Sequence, residues 1–172
     1  GFVEYDDPFG HAENIGNAIA EVLAKAGISA GEVTAVAIGR GPAPYTGLRV
    51  GMAAGTSFAT ALGLPMYSVM NLDAVAFAHG KAKILVSSDA KRKELFVATY
   101  ESGERSFGPA VLKPEELAQF AGFEQVDGKC SAEVIGRYSL WAKASGVDLS
   151  DSSALYLRSP DVAPSAGKRV TG

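Results

Sequence analysis

A row of small residues along one helix-like segment limits how this chain can pack. Glycine or alanine stands at every fourth position, so the row lies on one side of a helix: Gly47, Gly51, Gly55, Ala59 and Gly63. An interior glycine costs about 1 kcal/mol of helix propensity relative to alanine. The row therefore predicts that a second element approaches closely. The residues leave two candidates open, the protein's own sheet and a helix of another subunit.

The segment GRGPAPYTG, residues 39–47, offers phosphate binding as a third explanation. It lies between a predicted strand and a predicted helix, where free N–H groups and the helix dipole attract anions. However, it lacks the Lys-Ser/Thr pair of a P-loop, and Tyr45 stands where a dinucleotide-binding pattern needs a small residue. Pro42 and Pro44 have no N–H group to donate. The loop alone is therefore a poor phosphate site, and close packing is the better prediction.

Strand-like and helix-like runs alternate along the chain, which predicts an α/β protein. Helices are expected over residues 12–26, over 46–62 with Thr46 as N-cap, and in 71–79, 112–120 and 131–145. Strands are expected over residues 2–5, 33–39, 66–69, 83–89, 94–101 and in 154–160. From Lys83, two strand-like runs joined by a charged turn replace the alternation of strands and helices, which indicates a second lobe. The predicted organisation is an N-terminal lobe (1–80), a C-terminal lobe (81–155), and a C-terminal strand and tail (156–172).

Composition excludes several classes of protein. The formal charge of −3 and the pI near 5.4 argue against a chain that binds nucleic acid alone through a broad basic face. A single cysteine, Cys130, excludes an internal disulfide framework and fits a reducing compartment, so we expect a cytoplasmic protein. Residues 50–67 are too rich in small and polar residues to cross a membrane, and no targeting segment is expected at the start.

Several segments of the chain resemble one known family. GRGPAPYTGLRVG is similar to the G-x-G-P-G-S-F-T-G-L-R-x-G signature of the bacterial TsaB family, also called YeaZ. HAENIGNAIAEVLAKAGIS resembles the first helix of that family, SSDAKRKELFVATY its hairpin, and ALYLRSPDVAP its closing element. The likeness covers most of the chain in the same order. The matched loop residues are Gly41, Pro42, Tyr45, Thr46 and Gly47.

The resemblance implies an actin-like ATPase fold of the ribonuclease H-like class, with two lobes that each hold a mixed sheet flanked by helices. It also implies a non-catalytic subunit that pairs with the catalytic paralogue TsaD. Together with the ATPase TsaE, that enzyme forms threonylcarbamoyladenosine in tRNA. On this basis we expect a homodimer when the chain is alone and only indirect contact with tRNA. No cofactor is expected on the chain itself, although the interface with TsaD leaves room for a nucleotide.

The chain departs from the family pattern at several points. Ala43, Pro44 and Tyr45 replace Gly-Ser-Phe, which stiffens the loop but keeps an aromatic residue. The expected first hairpin is missing from the sequence, and we expect shortened stretches near residues 101–106 and 123–130. Asn71 and Val75 stand where the catalytic paralogue carries its two metal-binding histidines. Because these side chains cannot replace two imidazoles, we expect no metal site.

Other residues with reactive side chains give weak signals. His11 and His79 have no partner at ligand spacing, and no H-E-x-x-H motif of a zinc protease is present. Ser87, Ser88 and Asp89 favour a capped turn over a nucleophile, and Cys130 has no activating pattern. The run 91–93, KRK, is typical of a solvated hairpin tip, with a phosphate contact as the alternative.

The leading functional hypothesis is a scaffold that docks through the two helices of the N-terminal lobe. The expected interface residues are Ile15, Ile19, Val22, Arg49, Gly51, Met52, Gly55 and Ala59. Arg49 opposes the helix dipole in the first turn, which predicts an acidic partner on this chain or another. Two rivals stay open: an active actin-fold enzyme that binds ATP, such as a small-molecule kinase, and a regulatory homodimer.

Overall fold

The structure is a computed structural model that describes residues 1–5, 10–80 and 83–158, and the side chain of His11 is not described. Its first region holds a parallel pair of strands, β1 (Val36–Gly39) and β2 (Met66–Val69). Three helices accompany them: α1 (His11–Ala26), α2 (Tyr45–Leu62) and α3 (Asn71–His79). A 3₁₀ turn, Ala30–Glu32, precedes β1, so the predicted strand over 33–39 begins three residues late.

Glycines end the first two helices where the sequence places them. Gly27 and Gly63 have φ of 69° and 64°, and their N–H groups bond to carbonyls of the last turn. The predicted start of α2 is wrong by one residue. The helix begins at Tyr45 after Pro44, and Thr46 makes no capping hydrogen bond. Pro44 fills the N-cap position because its fixed φ of −55° leads directly into the helix.

The second region is a four-stranded sheet in the order β5-β4-β3-β6. Strands β3, β4 and β5 are antiparallel neighbours, whereas β6 runs parallel to β3. Their bounds are Ile84–Asp89, Leu95–Glu101, Glu104–Leu112 and Glu124–Asp127. A 3₁₀ helix, Pro114–Phe120, replaces the predicted α-helix at this point, and α4 (Ala132–Ala144) ends the region.

The core of the second region follows the period of two residues in β3 and β4. Ile84 and Val86 point to α3, where they pack on Leu72 and Val75. Leu85 and Val97 point to the opposite face, which the 3₁₀ helix covers with Leu117. Both faces of this sheet are therefore closed by the chain itself.

Helix α4 connects the two regions. It packs against β1, β2 and α3, and its Ile135 forms a cluster with Val69 and Ala74. The proposed lobe boundary near residue 80 stays a prediction, because α4 lies on elements of the first region although it follows the second sheet in sequence.

Two predicted strands are not formed. Residues 2–5 lie against α1, where the Tyr5 hydroxyl donates to Glu21 Oε2 at 3.0 Å. Residues 154–158 form no strand in the described part, and Leu155 N instead donates to Arg40 O at 2.8 Å. The rest of the predicted C-terminal strand and tail, 159–172, lies outside the described residues.

Candidate functional site

The loop after β1 is fixed by hydrogen bonds from two other parts of the chain. Arg40 N donates to Val69 O at 2.8 Å, and Asn71 N donates to Gly41 O at 2.8 Å. In return Gly41 N donates to Asn71 Oδ1 at 3.3 Å. Since the N–H groups of Arg40 and Gly41 are used internally and two prolines follow, the loop has few donors left for a phosphate.

Gly41 is required at its position for two reasons. Its φ of 105° lies in the left-handed region. A Cβ atom there would stand 3.0 Å from Leu155 O and 3.1 Å from Leu48 Cδ2. Gly41 and Pro42 are joined by a cis peptide bond, and both residues are buried. The Gly41-Pro42 part of the signature therefore serves close packing, as the sequence predicted.

Arg49 is held by two tyrosines. Its guanidinium lies 4.1 Å from the centre of the Tyr45 ring, and its Nε donates to the Tyr156 hydroxyl at 3.0 Å. The two rings are 5.1 Å apart, and the hydrogen bond to Tyr156 raises the pKa of Arg49. The expected acidic partner is wrong for this chain, because no carboxylate pairs with Arg49 in residues 10–80 and 83–158. Tyr156 had no sequence signal as a partner of Arg49, because it lies far along the chain in the segment ALYLRSPDVAP.

A cavity of about 360 Å³ separates this loop from the turn between β3 and β4. Tyr45 and Tyr156 line one side, and Lys91 and Arg92 line the other. The run 91–93 has left-handed φ values and is fully exposed, as a hairpin tip should be. Asp89 caps this turn by accepting from Lys91 N at 2.7 Å, and its bonds to Lys91 lower the pKa of Asp89. The prediction of a capped turn at 87–89 is confirmed.

The other candidate surface is a groove of about 550 Å³ between α1, α2 and β1. Apolar side chains dominate its lining, and among the predicted interface residues it includes Ile15, Ile19, Val22, Gly51 and Gly55. A Cβ atom on Gly51 would meet no other atom within 4 Å, so this glycine borders open space. Gly47 also lines the groove, whereas Thr46 is exposed and Met52 is half-buried outside it.

Two predicted interface residues contact the protein's own sheet. A Cβ atom on Gly55 would stand 2.3 Å from Ile38 Cγ2, and Ala59 is only 4% exposed. Ala59 is buried outside the groove, so its assignment to a partner surface is wrong, whereas Gly55 is half-buried and also lines the groove. The row of small residues thus serves both purposes: Gly55 and Ala59 let α2 approach β1 closely, and Gly51 and Gly55 border the groove.

Comparison with known proteins identifies the family. A family model described as TsaD: tRNA N6-adenosine threonylcarbamoyltransferase matches residues 9–155. An uncharacterized protein of Mycobacterium tuberculosis is 34% identical over 171 residues, which span 93% of this chain and 81% of that protein. The tRNA threonylcarbamoyladenosine biosynthesis protein TsaB of Escherichia coli is 29% identical, with 92% and 73% covered. The chain belongs to the TsaB (YeaZ) family.

Solved structures support the fold assignment. A Pseudomonas aeruginosa protein with similarity to peptidase YEAZ has a TM-score of 0.69 at 24% identity, with 88% of this chain and 86% of that chain covered. YeaZ from the same organism has a TM-score of 0.66 at 23% identity. The predicted actin-like α/β fold of the TsaB family is therefore confirmed. None of the helices in the described part is long and apolar enough to cross a membrane.

Asn71, Val75 and Cys130, which the sequence analysis weighed as positions of chemistry, lie in packed surroundings in the structure. Asn71 holds the loop through Gly41, and Val75 is 4% exposed in the core. Burial raises the pKa of Cys130 to about 11, which keeps its thiol protonated and unreactive at neutral pH. Across residues 1–5, 10–80 and 83–158, no three His, Cys, Asp or Glu side chains are placed to hold a metal ion.

Proposed function

We propose that this chain acts in the formation of threonylcarbamoyladenosine in tRNA as a non-catalytic subunit. It binds a TsaD-type catalytic subunit through the face formed by α1 and α2. The observation that carries the proposal is the groove in that face, which has apolar walls and an open space at Gly51. Half-buried apolar side chains around such a groove gain stability when a partner removes them from water.

The absence of catalysis in this proposal rests on what replaces the expected metal ligands. The Asn71 amide holds a backbone loop, and Val75 lies in the core. Neither position therefore supplies an imidazole. The Escherichia coli relative named TsaB matches 92% of this chain, which supports the same pathway. A TsaE-type ATPase joins the assembly, the interface with the catalytic subunit leaves room for a nucleotide, and the chain alone forms a homodimer.

Reconstitution tests the role directly. Purified TsaD-type and TsaE-type proteins from the same organism receive tRNA, an activated threonylcarbamoyl donor and ATP, with and without this chain. We expect modified tRNA only when the chain is present, and no turnover by the chain alone. Equal product in its absence would contradict the proposal.

A matched set of variants tests the surface. A Cβ atom on Gly51 meets no other atom within 4 Å, so Gly51→Leu places its side chain in the groove and should keep the fold and weaken binding of the catalytic subunit, measured by calorimetry. Ala53→Leu adds the same side chain at an exposed position of α2 and is the control. Loss of binding in the control but not in Gly51→Leu would move the interface to the outer face of the helix.

One observation favours a second candidate function, an ATP-dependent enzyme such as a kinase. The cavity beside the loop is lined by Lys91 and Arg92, and cations of this kind bind phosphates. Titration of the isolated chain with ATP and Mg²⁺ separates the two functions. Tight binding that Lys91→Ala removes would favour the enzyme, and no binding that depends on Lys91 is expected for the scaffold.

A further inference from the structure

A separate cavity of about 340 Å³ lies between α3, α4 and the turn that joins β4 to β5. Asp73 and Phe77 come from α3, Tyr100 and Arg105 from the hairpin, and Tyr138 and Trp141 from α4. The volume is at the lower end of the range for small-molecule sites, roughly 300–1,000 Å³. It therefore suits one ring system with a small substituent rather than an extended ligand.

The polar side of this cavity is organised around Asp73. Its Oδ1 accepts from the Tyr100 hydroxyl at 2.7 Å and from Arg105 Nη1 at 3.3 Å. The Asp73 side chain is 23% exposed, so it is neither sealed in the core nor fully solvated. The charges of Asp73 and Arg105 offset each other, and a neutral ligand fits this pair better than an anion or a cation.

Both members of the pair keep capacity for a ligand. Asp73 Oδ2 has only a long contact with Arg105 Nη1 at 3.4 Å. Arg105 uses Nη1 for its bonds to Asp73 and to Met70 Sδ, and within the described residues its Nε and Nη2 make no hydrogen bond. The cavity thus presents an acceptor beside donors, and a ligand edge with a donor beside an acceptor would complement it.

The opposite side is an aromatic wall. Phe77, Tyr138 and Trp141 contact one another with ring centres 5.1 to 5.6 Å apart. Rings packed this closely leave no gap in which they could enclose a cation, but they offer outer faces for stacking. Trp141 is 44% exposed, so a planar ligand can reach it.

We propose that this cavity binds a single unstacked nucleobase, which stacks on the aromatic wall and is read by Asp73 and Arg105 on an edge that carries a donor beside an acceptor. Adenine meets this requirement through its exocyclic amine and the adjacent ring nitrogen. Unpaired bases in single-stranded RNA are recognised by the same combination of aromatic stacking and edge hydrogen bonds. A base in RNA and a free nucleotide share this chemistry, and the experiment distinguishes the two sources.

The test uses the fluorescence of Trp141, which is the single tryptophan of the chain. The probes are adenosine, purine riboside, which lacks the exocyclic amine, adenosine 5′-monophosphate, and an oligonucleotide of six adenylates. We expect saturable quenching by adenosine and its monophosphate, and about tenfold weaker binding of purine riboside than of adenosine, since Asp73 then loses its donor. Tighter binding of the oligonucleotide indicates RNA as the source, and equal affinity per base indicates the free nucleotide.

Two variants test whether the fluorescence quenching depends on Asp73 and Arg105. Asp73→Leu and Arg105→Met should each weaken binding about tenfold and remove the preference for adenosine over purine riboside. Arg137→Gln is the control, because Arg137 is an exposed neighbour on α4 that pairs with Glu133. Circular dichroism melts show whether each variant is folded. Should Asp73→Leu fail to fold, the Arg105→Met variant and the comparison of the two nucleosides carry the test.

The proposal would be overturned by no quenching by any nucleoside or nucleotide, by equal quenching by adenosine and purine riboside, or by unchanged affinity in both variants. Quenching by the amide of acetylated phenylalanine, without quenching by nucleotides, would assign the cavity to a peptide side chain and would also overturn it. The proposal does not depend on docking through α1 and α2. Arg105→Met should leave the affinity for the catalytic subunit unchanged, so the two ideas can fail separately.

Discussion

The two sheets of this molecule are buried to very different degrees. In the four-stranded sheet, Leu85, Val86, Val97 and Ala98 have no exposed surface, because α3 covers one face and the 3₁₀ helix covers the other. Beside the two-stranded sheet, no described side chain of α1 is buried, and its apolar residues line a groove instead. The second region thus supplies internal stability, whereas the first keeps apolar surface that a partner can cover.

The largest expected effect is the difference in stability between two substitutions, one in each region. Leu85→Ala should lower the free energy of unfolding by about 2–5 kcal/mol, since it opens a cavity in a closed core. Ile19→Ala removes a half-buried side chain from the groove and should cost about 1 kcal/mol or less. Urea unfolding of the isolated chain measures both. Equal losses would mean that α1 is packed as firmly as β3.

The next effect lies within α2 and separates two glycines four residues apart. Gly55→Ala places a Cβ atom 2.3 Å from the branched side chain of Ile38 and should cost about 1–3 kcal/mol. Gly51→Ala meets no atom and should stabilise the helix by up to about 1 kcal/mol. Thermal melts show whether each variant is more or less stable than the original chain. A stabilising Gly55→Ala would show that α2 does not approach β1 closely.

These glycines also show what the sequence could predict. The period of four residues was visible and correctly indicated close packing, and Gly27 and Gly63 marked two helix ends. The identity of the second element was not encoded locally. Whether a glycine faces Ile38 or a groove depends on how far α2 rotates over the sheet, and that rotation follows from tertiary packing.

Long-range contacts explain the other differences between sequence and structure. Arg49 was expected to need a carboxylate, but Tyr45 and Tyr156 supply a ring face and a hydroxyl. The Asp73 and Arg105 pair had no sequence signal, because α3 and β5 meet only through the fold. Strand β5 was missed since Glu104, Arg105 and Ser106 lack an apolar pattern, and pairing with β4 alone forms it.

A smaller effect appears in the pH dependence of stability at the junction of the two regions. Burial raises the pKa of Asp73, although Tyr100 and Arg105 oppose the shift. The folded state therefore holds this proton more tightly than the unfolded chain, whose aspartate pKa is about 3.9. The resulting stabilisation is complete below that pKa and is lost as the pH rises through the higher folded value.

The Asp73→Asn variant should remove this decline, so its stability relative to the original chain should improve as the pH rises above about 4. Asp148 is the control of opposite sign, because its hydrogen bonds to Ser150 lower its pKa. Asp148→Asn should remove a stabilisation that is present above the unfolded pKa and lost as the pH falls. Urea unfolding at a series of pH values checks both slopes, and parallel slopes for the two variants would contradict the assignment.

The smallest expected effect compares the starts of two helices, one from each region. Ser131 caps α4 by accepting from Val134 N at 3.3 Å, so Ser131→Ala should cost about 1 kcal/mol. Thr46 resembles a cap in the sequence but lies inside the first turn of α2 after Pro44, and Thr46→Ala should change stability by less than about 0.5 kcal/mol. Chemical denaturation resolves this difference. A loss of about 1 kcal/mol at Thr46 would mean that Thr46 is the N-cap and that α2 begins two residues later, at Gly47, which would move Tyr45 out of the helix.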